Sequence, residues 1–331
     1  MAVSPPRPTN GPLLREASPG TASRCDDLIA CSPAMVEALY LADAFAPCDR
    51  TIVLHGETGT GKSLLARLIH VLSGRVGGFH AISVGTLTPS LAEAELFGHE
   101  RGAFTDAKTA RVGLLGESGG GTLLLDDMQG APAWLQRKLF DAMDRRVYRV
   151  LGSDRVLAIA CRFIVSLNED PDTLVRQGVL IKDLRYRFEE LWIRMAALRE
   201  RREEIPLLAA RALKRCHQDL SPDGPSQLSD AALAVLCQGD YPGNVRQLEK
   251  AVERGYLVAR KAGRDMIETS DLPPDFCPPL IFPSRGTLAD RIAAAQRAVE
   301  RTGGNIAAAA RLVGRSRNTI QALIRRRIVP R

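Results

Sequence analysis

Gly56-Glu57-Thr58-Gly59-Thr60-Gly61-Lys62-Ser63 follows the short apolar run Thr51-Ile-Val-Leu-His55 and leads into a stretch that reads as a helix, Ser63 to Leu72. The order strand, glycine loop, helix is the context that gives GxxxxGK[ST] its meaning. Glycines let the backbone turn its N–H groups around a phosphate, and the following helix adds partial positive charge at its N-terminus. In this arrangement Lys62 reaches the β and γ phosphates of a nucleoside triphosphate, and the Ser63 hydroxyl helps hold Mg²⁺. A second apolar run, Gly121-Thr-Leu-Leu-Leu-Asp-Asp127, ends in two carboxylates. Asp126 is the expected second Mg²⁺ contact and Asp127 the expected water-polarising base. A third run, Phe163-Ile-Val-Ser166, ends near Asn168.

Working outward, strands alternating with helices predict an α/β core with a parallel sheet covered on both faces. The pattern after about residue 200 reads as wholly helical, with helices expected at Ile205–Cys216, Asp230–Cys237 and Asn244–Arg260, a small helical lid. The expected organisation is a disordered tail over 1–24, an ATPase core over 25–200, the lid over 201–271 and a proline-stiffened linker over 272–286. A DNA-binding domain then fills 287–331.

The chain is 331 residues long, enough for two or three folded units. Its formal charge of +7 is concentrated at one end: Arg285 to Arg331 holds 11 arginines, no lysine and two acids, Asp290 and Glu300. That placement suits phosphate neutralisation. Seven scattered cysteines, odd in number and without a CxxC pair, argue against a disulfide framework or a zinc site. No apolar run reaches 18 residues and no signal peptide is seen, so the expectation is a cytoplasmic protein without membrane attachment.

Asn305 to Arg327 follows helix-turn-helix grammar. Small residues fill a first helix, Gly314 makes the turn and Ser316 N-caps the second helix. Ile320, Leu323 and Ile324 form an inward stripe, leaving Arg317, Asn318, Gln321 and Arg325 to reach base edges or phosphates.

Together these motifs resemble the sigma-54-dependent activators, the bacterial enhancer-binding proteins of the AAA+ class, over roughly residues 25 to 331. The most specific mark is Glu95-Leu-Phe-Gly-His-Glu-Arg-Gly-Ala-Phe-Thr-Asp-Ala107, similar to the family's ELFGHExGAFTGA loop. The resemblance implies that Gly102, Ala103, Phe104, Thr105, Asp106 and Ala107 contact the sigma factor, with Phe104 and Thr105 at the tip. Leu198–Pro206 and Tyr241–Glu249 also match, and the latter is similar to WPGNVRELE. By that match Arg246 is the sensor II arginine. Asn168 joins the nucleotide pocket, and Arg187 is a catalytic arginine acting on a neighbouring subunit's ATP. The C-terminal segment is similar to Fis-type domains. The implied function is ATP-driven remodelling of sigma-54 RNA polymerase by a homo- or hetero-hexamer bound to double-stranded DNA at an upstream activator site. No receiver or ligand-sensing domain is expected ahead of the ATPase, so a separate regulatory protein is a candidate for control.

Departures from the family pattern bear on mechanism, Asp106 on the sigma contact and the others on hydrolysis and coupling. Asp106 stands where Gly is usual; Asp127 replaces Glu and draws the base back by roughly 1.5 Å, one C–C bond. Ser83 replaces an Asn, Leu167 a Thr, and Ile181 the first of two arginines in Gly178–Phe188. The four at Ser83, Asp127, Leu167 and Ile181 motivate an alternative: a hydrolysis-impaired, ATP-binding partner subunit or modulator of an active paralogue.

Overall fold

The computed structural model describes residues 28–86, 88–104, 107–188, 191–276, 287–301, 305–313 and 315–325. The expected tail, Thr105 and Asp106 of the loop, most of the proline linker and Gly314 lie outside the described residues. The chain divides into two compact units, Met1–Ala197 and Leu198–Arg331.

The first unit is built on five parallel strands in the order β2-β3-β6-β1-β7. These are β1 (Ile52–His55), β2 (Phe79–Ser83), β3 (Thr122–Asp126), β6 (Arg162–Leu167) and β7 (Trp192–Arg194). Alternate residues of each strand feed opposite faces. Val53, Leu123, Leu125, Phe163, Val165 and Leu167 join one buried cluster with α3 (Pro89–Phe97) and α4 (Ala133–Arg145). Ile52, Leu54, Leu124 and Ile164 join the other, against α1 (Pro33–Phe45) and α2 (Lys62–Leu72). This two-sided burial makes the central strands nearly continuous apolar runs, as expected for a covered parallel sheet. A short antiparallel hairpin, β4 (Val147–Arg149) with β5 (Val156–Ala158), stands apart from the sheet. Helices α5 (Pro171–Arg176) and α6 (Lys182–Arg187) precede β7.

Arg162, fully buried at the start of β6, ties the base of this layer together. Its guanidinium donates to the carbonyls of Ala46 (2.6 Å) and Cys48 (3.3 Å) after α1, and of Ile69 (3.3 Å) in the last turn of α2. A cation there adds a donor at the helix ends, where the Ile69 carbonyl also accepts the Ser73 N–H, and meets the negative end of the helix dipole. Burial lowers its pKa to about 10.

In the second unit, α7 (Ile205–Asp219) packs on α9 (Asn244–Lys261), with α8 (Asp230–Gln238) beside α7. Arg211 and Arg215 both pair with Glu249 at 3.2 and 3.1 Å. The expectation of a wholly helical segment needs one correction. β8 (Gln227–Leu228) and β9 (Met266–Ile267) form a parallel ladder, too short for a strand period to register in the sequence. Three further helices, α10 (Leu288–Arg301), α11 (Ile306–Leu312) and α12 (Arg317–Arg325), share a buried cluster of Ile292, Ala295, Ala298, Ala309, Ala310, Val313, Ile320 and Leu323. The Ser316 hydroxyl accepts from the Thr319 N–H at 3.2 Å, so Ser316 caps α12. Among the described residues, no helix is long and apolar enough to cross a membrane.

Candidate functional site

The loop between β1 and α2 winds through three glycines with positive φ: Gly56 (+147°), Gly59 (+81°) and Gly61 (+108°). Gly61 precedes α2 and makes no side-chain cap, so the first-turn amides of the helix have no side-chain acceptor at that position. Within the loop, the Thr60 hydroxyl donates to the Glu57 carbonyl at 2.8 Å. Thr58 and Ser63 are exposed, while Lys62 is 6% exposed. The Lys62 ammonium is held by the carbonyls of Gly56 (2.6 Å) and Glu57 (3.1 Å) and by Asn168 Oδ1 (2.8 Å).

The strand ends bring the carboxylates to this loop. Asp126 lies on the sheet face that carries α2, and the Ser63 hydroxyl donates to its Oδ2 at 3.3 Å. Its Oδ1 accepts from the Ser166 hydroxyl across the β3–β6 pairing. Asp127 follows in the left-handed region, φ 54° and ψ 46°. Its N–H donates to Ser166 Oγ at 3.1 Å, and its Oδ1 accepts from Asn168 Nδ2 at 2.7 Å and from Gln129 Nε2 at 3.5 Å. Two continuous links therefore join the loop to the carboxylates: Lys62–Asn168–Asp127 and Ser63–Asp126–Ser166. Ser166 and Gln129 were not anticipated, and nothing in their local sequence marks them. His55, at the end of β1, has its pKa lowered by burial, with Arg194 and Lys62 adding to the shift and Asp170 opposing it.

The altered positions have specific surroundings. The side chain of Leu167 is fully buried on the face opposite α2. Ser83 lies in register with Asp126, yet its hydroxyl is buried with no hydrogen-bond partner among the described residues. Ile181 is the N-cap of α6; its N–H donates to Gln136 Oε1 at 3.0 Å and its side chain packs on the core. Lys182 is exposed beside it. Arg187, also exposed, donates to the Met143 carbonyl at 3.3 Å and lies 3.8 Å from Asp144.

The loop after α3 is pinned at its neck. His99 and Arg111 exchange backbone hydrogen bonds at 3.0 and 2.9 Å, Glu100 N–H donates to the Leu151 carbonyl, and Leu151 N–H to that of Gly98. The neck is too tight for a side chain: a Cβ on Gly113 would meet the Gly98 nitrogen at 2.2 Å. Near the tip, Gly102 N–H donates to the Ala107 carbonyl and Ala107 N–H to that of Phe104, both at 2.9 Å. Ala103 lies against Gly152, and Ala107 is buried. Phe104 remains 45% exposed, its ring edge-on to His99 at 4.9 Å.

Arg246 is exposed in the first turn of α9 in the second unit. On α12, Arg317, Asn318 and Arg325 are exposed and Gln321 half-buried, opposite the buried Ile320 and Leu323.

Comparison with known proteins matches residues 28–194 to the sigma-54 interaction domain and residues 199–279 to the AAA+ ATPase lid domain. The transcriptional regulatory protein ZraR of Salmonella typhimurium is 35% identical over 305 residues, covering 90% of this chain and 68% of that one. The sigma54-dependent transcriptional activator SfnR of Pseudomonas putida is 36% identical over 273 residues, covering 82% and 71%. Among solved structures, NtrX from Brucella abortus aligns with a TM-score of 0.71 at 27% identity over 91% of this chain and 70% of that one. Its complex with ATP aligns with a TM-score of 0.68 at 28% identity, over 90% and 68%.

Proposed function

The chain belongs to the sigma-54-dependent transcriptional activators, and from that premise we propose that it is a DNA-bound ATPase that remodels sigma-54 RNA polymerase to allow open-complex formation. The observation that carries the ATPase reading is the pair of side-chain links from the glycine loop to the two strand-end carboxylates.

The residues fit a nucleoside triphosphate with Mg²⁺. The positive-φ glycines and the uncapped first turn of α2 supply a cradle of backbone donors. A Cβ on Gly56 would fall 2.3 Å from the Met195 carbonyl oxygen, so this wall of the cradle has room only for glycine. In this reading Gly56 to Ser63 hold the phosphates, and Lys62 exchanges its carbonyl partners for phosphate oxygens. Ser63 and Asp126 hold Mg²⁺, which would neutralise charge on the phosphates. Asp127 orients and deprotonates the attacking water, Asn168 aligning its carboxylate. Arg246 serves the nucleotide as the sensor II arginine, and Arg187 acts on a neighbour's nucleotide in a homo- or hetero-hexamer.

Gly102 to Ala107 form the sigma-contacting loop, with exposed Phe104 supplying an apolar anchor. Arg317, Asn318, Gln321 and Arg325 of α12 read an upstream activator site as the recognition helix of a Fis-type helix-turn-helix. The packing of α10 to α12 and the cap at Ser316 support that role. Steady-state ATPase assays on the purified chain, beside Lys62→Ala, test the core of the proposal. Turnover abolished by Lys62→Ala is expected; no nucleotide-dependent turnover in the parent would refute hydrolysis.

A further inference from the structure

Ser166 lies in the middle of the sheet, fully buried on β6, opposite Leu54 of β1 and one step beyond the Leu125–Val165 pair of β3. In-register neighbours on adjacent strands share a face. Its hydroxyl therefore emerges beside the Asp126 carboxylate, on the side that carries α2.

A hydroxyl has one proton to give and lone pairs to receive with. Ser166 uses both kinds of capacity: it donates to Asp126 Oδ1 and accepts from the Asp127 N–H at 3.1 Å. The second bond matters because Asp127 is in the left-handed region. That conformation is strained for an L-residue and persists only where its surroundings hold it. On the other flank of Asp126, the Ser83 hydroxyl is buried without a partner. Leu167, the next residue along β6, is buried on the opposite face. Among these three neighbours, Ser166 alone grips the acid pair.

We propose that Ser166 is a positioning residue for the nucleotide site: one hydroxyl fixes the Asp126 carboxylate and the Asp127 backbone relative to each other. Metal-site acid and catalytic base are thereby set at one spacing. The proposal rests on the ATPase reading above, with Asp126 holding Mg²⁺ and Asp127 acting on water. Ser166→Ala removes the grip while adding no bulk, and Ser166→Thr keeps the hydroxyl.

The test measures ATPase kcat and KM, and separately the binding of a fluorescent ATP analogue with and without Mg²⁺, for the parent and both variants. Loss of a group that orients a metal ligand costs about 10- to 100-fold. Ser166→Ala should lose that much in kcat with KM changed by less than about threefold, while the gain in nucleotide affinity brought by Mg²⁺ shrinks. Ser166→Thr should recover most of both. In a parent that binds but does not hydrolyse, the Mg²⁺ response alone decides. A Ser166→Ala protein matching a competent parent within about twofold in turnover and Mg²⁺ response would overturn this assignment alone. A loss in Ser166→Ala that Ser166→Thr fails to recover would also overturn it, since packing would then be the cause. A parent that binds no nucleotide would overturn it together with the reading beneath it.

Discussion

Gly56→Ala perturbs the point where the glycine loop leaves the sheet. Gly56 N–H donates to the Leu167 carbonyl at 3.1 Å, and next to it Met195 N–H donates to the His55 carbonyl at 2.7 Å. A Cβ at residue 56 would fall 2.3 Å from the Met195 carbonyl oxygen and 3.0 Å from the Met195 Cβ. Ordinary contact begins near 3.4 Å, so the β7 end must retreat by about 1 Å, at the expense of the Met195–His55 bond. Losing that bond costs roughly 0.5–1.5 kcal/mol. Holding alanine at φ +147° adds roughly 1–3 kcal/mol. The sum, about 1.5–4.5 kcal/mol, corresponds to a fall in Tm of roughly 3–18 °C for a unit of this size. Nucleotide affinity should drop as well, because the displaced backbone is the cradle wall. Gly74→Ala is the control. Gly74 also has positive φ (+64°), but its Cβ would meet nothing within 4 Å, and it lies past the far end of α2. It should lose only the backbone contribution to stability and keep its nucleotide affinity. Differential scanning fluorimetry and titration with a fluorescent ATP analogue read both effects. A Gly56→Ala protein that melts and binds like Gly74→Ala would show that the Met195 contact sets neither stability nor the cradle.

Burial holds the Cys161 thiol up at about 11, against an ordinary 9. Between these values the unfolded chain loses a proton that the folded chain keeps, so stability should fall as pH rises from about 9 to 11, by at most about 2–3 kcal/mol. Denaturant unfolding across that window should show a shallower decline in Cys161→Ala. Asp127→Glu places a longer side chain on a left-handed backbone and displaces the oxygen held by Asn168. Turnover should fall roughly 10- to 100-fold, and a gain in ATPase rate would show instead that the shorter acid limits catalysis. Arg325→Ala removes an exposed cation from α12. DNA affinity should weaken, and the slope of log K against log salt should flatten by about 0.9, one phosphate contact, in anisotropy titrations.

The glycine loop and the β3 and β6 runs were legible because their chemistry demands contiguous residues: a phosphate cradle has fixed spacing, and a strand covered on both faces is apolar throughout. The edge strands were not. β2 includes His80 and Ala81, with only Ile82 buried, and β7 has three residues, so neither shows a buried run. Ser166 and Gln129 escaped for a different reason. Their partners lie 39 or 40 positions away in sequence or depend on a turn geometry, and only the strand register brings them to the acids. Arg162 stands at the start of an apolar run, and its charge says nothing about the helix ends it satisfies. Ile181 was legible as a missing arginine; that its side chain packs into the core was not.

In the proposed function, nucleotide state controls a grip on sigma-54 through the loop that carries Phe104. The direct measurement is native-gel or sedimentation binding of the purified chain to sigma-54 in the presence of no nucleotide, ADP, ATP, and a trapped hydrolysis-state analogue. A complex is expected with the ATP or trapped state, little or none with ADP, and loss of that complex in Phe104→Ala although nucleotide binding persists. Sigma-54 binding that is absent in every nucleotide state, or present equally in all of them, would contradict it.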